Sequence, residues 1–411
     1  MENSKNEKIL DSINLILIFL LFISYLGYSY NKKIYYAMTL ITAVFAIAKL
    51  IFIDKFKVKI SRHFVWYFLF FIFSSLSIMW TIDTNYTFDG IKNVLLILVN
   101  IFAILEYTQD KKRTIQVLDI YIIACLYMCI RLIFFETAQP RVTNDYGQIC
   151  GLYFNTIAFT LAIGVFVCLY MILEKKEIGR KKLLYLIPIV IFYYIIYVTG
   201  SRKGLLFPII ASPALIILYI RKNRKMLIKS LIGIGIAIVM ITIFIFTDKT
   251  LTKRIINLGK SIVGIQVEDK SVEERSFYRK TAMQLFGESP IIGKGLNSFT
   301  AYMEQINYKH VAYSHCNFTE LLSSLGIIGF AIYYMQYIYI IVKSGKKIKE
   351  NDLENIFALV YVILISIFEY GIVSYYDFSY QIILALVFSL IDKSEKIDCK
   401  AKVLEKFSKN K

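Results

Sequence analysis

Residues 13–30 read INLILIFLLFISYLGYSY, a stretch without a charged side chain and long enough, at about 1.5 Å per residue, to cross roughly 30 Å of hydrocarbon as a helix. Comparable apolar runs follow near 34–53, 64–80, 91–107, 115–135, 149–173, 183–199, 204–220, 226–247, 318–342, 354–373 and 377–391, twelve in all. Of the 411 residues 57% are hydrophobic and only 5 are proline, a balance foreign to soluble domains. In lipid, backbone amides must be satisfied within the segment, so such runs are helices. The expected fold is all-α: a polytopic membrane helix bundle of about 12 transmembrane helices with one large outer loop domain.

Basic residues set the orientation. Lys55, Lys57, Lys59 and Arg62, then Lys111, Lys112 and Arg113, then the Lys175–Lys182 cluster, Arg221 to Lys225, Lys343 to Lys349 and the Lys-rich tail fall on alternate connections. That side is expected to be the cytoplasm, with both termini on it. The net charge of +18 is then mostly topology and gives no reason to expect nucleic-acid binding. The first run has no small-residue cleavage site, so it reads as a retained helix and not as a removable signal peptide. The cysteines at 125, 129, 150, 168, 316 and 399 show no metal-site or disulfide spacing.

One connection is long. The expected division is 1–247 for transmembrane helices one to nine, 248–317 for a large extracytoplasmic loop with short helices, and 318–411 for helices ten to twelve with a basic cytoplasmic tail. Within the loop, Ser271-Val-Glu-Glu274 matches a capping box, and Tyr278, Ala282, Leu285 and Phe286 follow at helical spacing. A helix is predicted over Ser271–Phe286, a break at Ser289-Pro290 and Gly293-Lys-Gly295, and a second amphipathic piece over Asn297–Ile306.

Polar chemistry concentrates on the outer side of this topology. Thr199-Gly-Ser-Arg-Lys-Gly204 is an outer turn that offers Ser201, Arg202 and Lys203. Arg202 there is either a snorkelling helix-end cation or part of a phosphate clamp, because guanidinium binds phosphate oxygens as a bidentate fork. Arg275 and Arg279, four residues apart, share a helix face with Cβ atoms about 6 Å apart, a spacing suited to a diphosphate or to ordinary pairing with Glu274. The span Ala312–Phe330, AYSHCNFTELLSSLGIIGF, carries His315 where the loop re-enters an apolar helix. An unperturbed imidazole can take a proton from a sugar hydroxyl, or serve as a hydrogen-bonded residue at a helix start. Glu320 is positioned to orient that ring or to satisfy the helix end. Arg131, Arg141 and Glu369 lie toward the same boundary, where intramembrane charges pair or line cavities. No D-x-D or Asp/His cluster for Mg²⁺ is present.

The order of these elements resembles the bacterial O-antigen ligase and polysaccharide polymerase family, the Wzy and WaaL type. It comprises Ser201-Arg202 at an outer turn, a long loop with an Arg, then Pro290, Gly293, Gly295 and Phe299, then His315, Glu320-Leu-Leu, and Gly326 with Gly329. The likeness covers about 200–330. Members usually place Asn directly after the His, whereas here Cys316 follows and Asn317 comes next. The resemblance implies a metal-independent glycosyltransferase without cofactor in the cytoplasmic membrane. It would act on its outer face, moving glycan from an undecaprenyl diphosphate-linked oligosaccharide. His315, Arg275 and Arg202 would be the catalytic residues; Arg279, Ser201, Lys203, Glu320, Arg131 and Arg141 would bind substrate. A polymerase for capsule, O-antigen or exopolysaccharide is the expectation, with membrane lipid, a flippase and a chain-length regulator as partners. The alternatives are a ligase to another acceptor, a polysaccharide or lipid-linked sugar exporter, and a structural scaffold for glycan assembly.

Overall fold

A computed structural model describes residues 2–28, 31–53, 60–134, 148–149, 152–174, 184–222, 225, 228, 270–308 and 312–392. Its helices are α1 (Glu2–Tyr28), α2 (Lys32–Phe52), α3 (Arg62–Leu76), α4 (Thr84–Tyr107), α5 (Lys111–Phe134), α6 (Phe154–Glu174), α7 (Leu186–Thr199), α8 (Arg202–Ile220), α9 (Lys270–Glu288), α10 (Ser298–Gln305), α11 (Asn317–Lys347), α12 (Leu353–Phe368) and α13 (Phe378–Asp392). All but α9 and α10 coincide with expected spans; the run 226–247 lies, apart from residue 228, outside the described residues. Eight helices are long and apolar enough to cross a membrane, and α7, α12 and α13 are shorter apolar helices. The protein is an all-α polytopic membrane bundle. Its strands, among the described residues, form one hairpin of β1 (Gln148–Ile149) and β2 (Leu152–Tyr153).

The α6 helix sits at the centre, packed against α7 and α8. It is buried along nearly its whole length, in keeping with a sequence that is apolar on every face. Close approach to α8 depends on small residues: a Cβ at Gly204 would lie 2.6 Å from Ala158 Cβ. Part of the charge inside the bundle is paired. Lys49 of α2 meets Glu106 of α4 at 2.6 Å, and Asn14 of α1 donates to the same carboxylate at 2.9 Å.

The expected span 354–373 ends as helix at Phe368. Its last residues form a turn because the buried Glu369 is held there, accepting from Tyr334 and Tyr337 at 2.8 Å each and from Ser374. Asn317 closes the same turn. Its backbone amide donates to the carbonyls of Glu369 and Ile372, while its side-chain oxygen accepts from the amides of Ser374 and Tyr375 at 3.1 and 3.3 Å. The Asn that follows Cys316 therefore ties the 369–377 turn to the start of α11.

The glycines of the Pro290–Gly295 and Gly326 motifs have a shared structural reason. Gly326 has φ 63° and ψ −166° inside α11, breaking the helix. The groups freed by the break bond to the loop: Ile327 N to Pro290 O (2.9 Å), Ile328 N to Ile291 O (3.2 Å), Lys294 N to Ser323 O (3.0 Å) and Gly295 N to Ser324 O (2.8 Å). Irregular backbone at membrane depth survives only when protein satisfies it in this way. Built Cβ atoms would lie 2.4 Å from backbone at both Gly293 and Gly326, so two bare backbones meet.

This docking anchors an outlying layer. The α9 helix begins at Lys270, one residue before the expected cap, and α10 spans Ser298–Gln305, close to the second predicted piece. Tyr278, Ala282 and Leu285 of α9 pack with Phe299 and Met303 of α10 in a small core of their own.

Candidate functional site

Three arginines, the Lys203 amine and one imidazole gather where α8, α9 and the 312–316 loop meet. Local sequence explains each position. At the start of α8, Gly200 adopts the left-handed conformation that ends α7 (φ 58°), and Ser201 caps α8 by accepting from the Gly204 amide at 3.3 Å. Ser201 Oγ also donates to Asn155 Oδ1 at 2.8 Å, fixing the turn to the start of α6. Arg202 and Lys203 therefore leave a short, pinned turn in a defined direction. Lys203 is largely buried and its Nζ donates to the carbonyl of Gly371.

On α9, Arg275, Tyr278, Arg279 and Ala282 follow the i, i+3, i+4, i+7 pattern. Tyr278 and Ala282 are buried in the small core, so both arginines lie along the helix's inward-facing stripe and are half-buried. The guanidinium of Arg279 stands 4.8 Å from the centre of the Tyr370 ring. Arg275, Arg279 and Arg202 all act electrostatically on Lys203.

His315 is a non-glycine residue in the left-handed region, with φ 59°. Strain of this kind persists when surrounding structure over-determines it. Here the ring lies between Tyr313, with centroids 4.3 Å apart, and Tyr278, 5.7 Å away with planes 27° apart. The preceding amide, Ser314 N, donates to Glu320 Oε2 at 2.7 Å, and Ser314 Oγ donates to Cys316 O at 3.0 Å. Glu320 thus holds the loop backbone and, among the described residues, not the imidazole. The ring's affinity for protons is depressed: burial, then the charges of Arg275, Lys203 and Arg279, push its pKa down to about 3. Ligand-free His315 is consequently neutral at physiological pH. Burial pushes the neighbouring Tyr278 and Tyr313 hydroxyls up to about 12.

The structure therefore groups His315, Arg275, Arg279 and Lys203, with Arg202 beside Lys203 and Ser201 as the cap that sets them. Arg131 is elsewhere. It donates to Gly27 O and lies 4.6 Å over the Tyr28 ring, joining α5 to the end of α1. Arg141 lies outside the described residues. Of the other two histidines, His63 is buried with Nδ1 2.8 Å from Gln336 Oε1, and His310 is outside the described residues. Sequence reasoning missed Tyr278 and Tyr313 as walls of the imidazole, Tyr370 as a partner of Arg279, and Asn155 as the anchor of Ser201. Tyr278 was accessible through its spacing from Arg275; the other contacts join segments far apart in the chain.

An anion with several oxygens is the ligand such a cluster suits, since fixed guanidiniums hold phosphate in a partly dry site without reorganising. The fold and this site together define an integral membrane protein with a cluster of basic side chains at one end of its helices. Residues 187–334 match the family model described as O-antigen ligase. The match supports an O-antigen ligase/polymerase-like family, and with it glycosyl transfer in polysaccharide biosynthesis as the general function. It runs from α7 into α11 and contains Ser201, Arg202, Lys203, Arg275, Arg279, His315 and Glu320, but neither Arg131 nor Arg141. No curated protein matches the chain.

Proposed function

We propose that this protein is a polymerase of undecaprenyl diphosphate-linked oligosaccharide repeat units, working on the outer face of the bacterial cytoplasmic membrane with both termini inside. The observation that carries the proposal is the convergence of Arg275, Arg279 and Lys203 on His315, with Arg202 beside Lys203. In the proposed reaction an acceptor hydroxyl oxygen attacks the anomeric carbon of the donor glycan. The anomeric C–O bond to the diphosphate breaks, and its electron pair leaves with the polyprenyl diphosphate. The cations stabilise that added negative charge in place of a divalent metal. The acceptor's proton passes to a neutral His315.

A base of pKa about 3 is weak for this task. Donor binding supplies the remedy. Two of the causes that depress the imidazole are the Arg275 and Arg279 charges, and a seated diphosphate offsets them. The contribution of burial remains, so donor binding raises the affinity of His315 for a proton without restoring its ordinary value, and this couples proton transfer to substrate occupancy.

The test is transfer by purified protein in lipid nanodiscs, given a lipid-linked repeat unit as the sole glycan substrate. A ladder of longer lipid-linked products is expected from the wild type, and none from Arg202→Ala or Arg275→Ala at equal membrane abundance. Wild-type product length from either variant overturns the clamp. Transfer only when a different acceptor is added would assign the protein as a ligase, the activity in the description of the matching family. Movement of the lipid-linked unit across the bilayer without elongation would assign an exporter.

A further inference from the structure

Beside the cationic cluster lies a second feature, whose walls come, apart from Tyr313, from outside the segment that matches the family. A cavity of about 310 Å³ opens between α1, α2, α4, the start of α6 and the 369–377 turn. Six tyrosines line it: Tyr25, Tyr35 and Tyr36 from the first two helices, Tyr153 from β2, and Tyr313 and Tyr376 from loops. Its volume is at the lower end of the roughly 300–1,000 Å³ usual for small-molecule sites.

From this cavity we infer that the protein carries a dedicated saccharide subsite, which seats the acceptor sugar next to His315. The inference rests on the glycosyl-transfer reading above.

The chemistry of the walls selects the ligand class. A sugar ring presents apolar C–H faces and a rim of hydroxyls, and tyrosine matches both, with a flat ring and a polar tip. Asp377 supplies the directional acceptor. A carboxylate offers about four acceptor positions. The Ser379 and Tyr380 amides take Oδ1 at 2.9 and 3.3 Å, and the Tyr25 hydroxyl takes a further position, which leaves capacity for a ligand hydroxyl. Asn93 and Lys32 add donors at the cavity wall. A lipid tail gains nothing from these groups and would strand them unsolvated.

The deep wall is rigid. Tyr25 and Tyr35 pack at 5.3 Å, Tyr25 and Phe378 at 4.6 Å, and Asn100 donates to the Tyr35 hydroxyl at 2.8 Å. By contrast Tyr36 and Tyr153 are 43% and 48% exposed, rings available to stack on a sugar at the mouth. Tyr313 joins the two sites, since it lines the cavity and contacts the His315 ring. Thr156 of the cavity wall adjoins Asn155, which anchors the Ser201 turn. An acceptor in the cavity thus reaches the imidazole past Tyr313, with the Arg275 charge that the leaving diphosphate would meet close to both rings.

The probe is the repeat-unit oligosaccharide released by mild acid from the cell's own lipid-linked pool, fluorescently labelled at its reducing end. Binding is measured on the full chain in nanodiscs. Wild type and Gly345→Ala, whose added Cβ meets nothing within 4 Å, should bind it equally, while Asp377→Asn and Tyr153→Ala should each weaken it about tenfold, or roughly 1.4 kcal/mol. Asn preserves the cap on α13, and Tyr153 is half exposed, so neither change threatens the fold. Unchanged binding in both cavity variants, no binding by the wild type, or displacement of the sugar by added lipid would overturn the subsite. Loss in the cavity variants together with normal transfer by Arg275→Ala would instead leave the subsite standing and remove the diphosphate clamp.

Discussion

Replacing Gly326 by alanine tests whether the break in α11 builds the site. The residue has φ 63° and ψ −166°, a region almost reserved for glycine, and forcing a side chain into it costs about 1–3 kcal/mol. The new Cβ would also sit 2.4 Å from the carbonyl carbon and oxygen of Ile291, which are backbone atoms that cannot rotate aside. Relief requires the 290–295 loop to withdraw, with loss of the bonds from Ile327 and Ile328 to that loop. At about 0.5–1.5 kcal/mol each, and with the strain added, the total is about 2–6 kcal/mol. The α9 helix leads directly into this loop, so Arg275 and Arg279 should move with it. Thermal unfolding in nanodiscs, paired with the transfer assay, reads both effects. Gly345→Ala is the control: nothing lies within 4 Å of its Cβ, and an exposed helical glycine gains about 0.5–1 kcal/mol on becoming alanine. A Gly326→Ala protein as stable and as active as wild type would refute the reasoning.

Other outcomes follow from the same geometry. For His315, kcat/KM reports the free enzyme, so its acidic limb should fall near pH 3 and not near 6.5, while the kcat limb lies higher because the bound diphosphate offsets the cations. A limb of kcat/KM near 6.5 that vanishes in His315→Gln would contradict this. The depressed pKa also carries a stability consequence. The unfolded imidazole takes a proton near pH 6.5 and the folded one only near 3, so this group withdraws stability as pH falls through that window. The protection factors of the 312–316 amides, taken after correction for the intrinsic exchange rate, should fall between neutral pH and about pH 5, and less so in His315→Gln. Asn317→Ala deprives the buried Ser374 and Tyr375 amides of their acceptor, and should cost about 2–3 kcal/mol by thermal unfolding; an unchanged Tm would show that the 369–377 turn holds without it. Lys49→Met strips Glu106 of its 2.6 Å partner within the bundle, with an expected loss of about 3–5 kcal/mol that Lys49→Met/Glu106→Leu largely recovers. No recovery in the double variant would mean that other contacts dominate there.

The amino-acid order alone determined the membrane class and the place of the apolar helices among the described residues, since lipid admits backbone only as satisfied helix and each apolar run announces its own span. It also marked Arg275 and Arg279 as one face of α9, because helical spacing is a local property. The pairing of Pro290–Gly295 with Gly326 was visible as two glycine motifs but not as a contact. Only the tertiary structure decided which candidates meet. Glu320 turned to Ser314 N, Arg131 turned to Gly27 and Tyr28, and Lys203 came to Gly371. The proton affinity of His315 was likewise illegible, because it is set by desolvation and by charges from α8 and α9, which lie far from the imidazole along the chain and reach it only through the packing of the bundle.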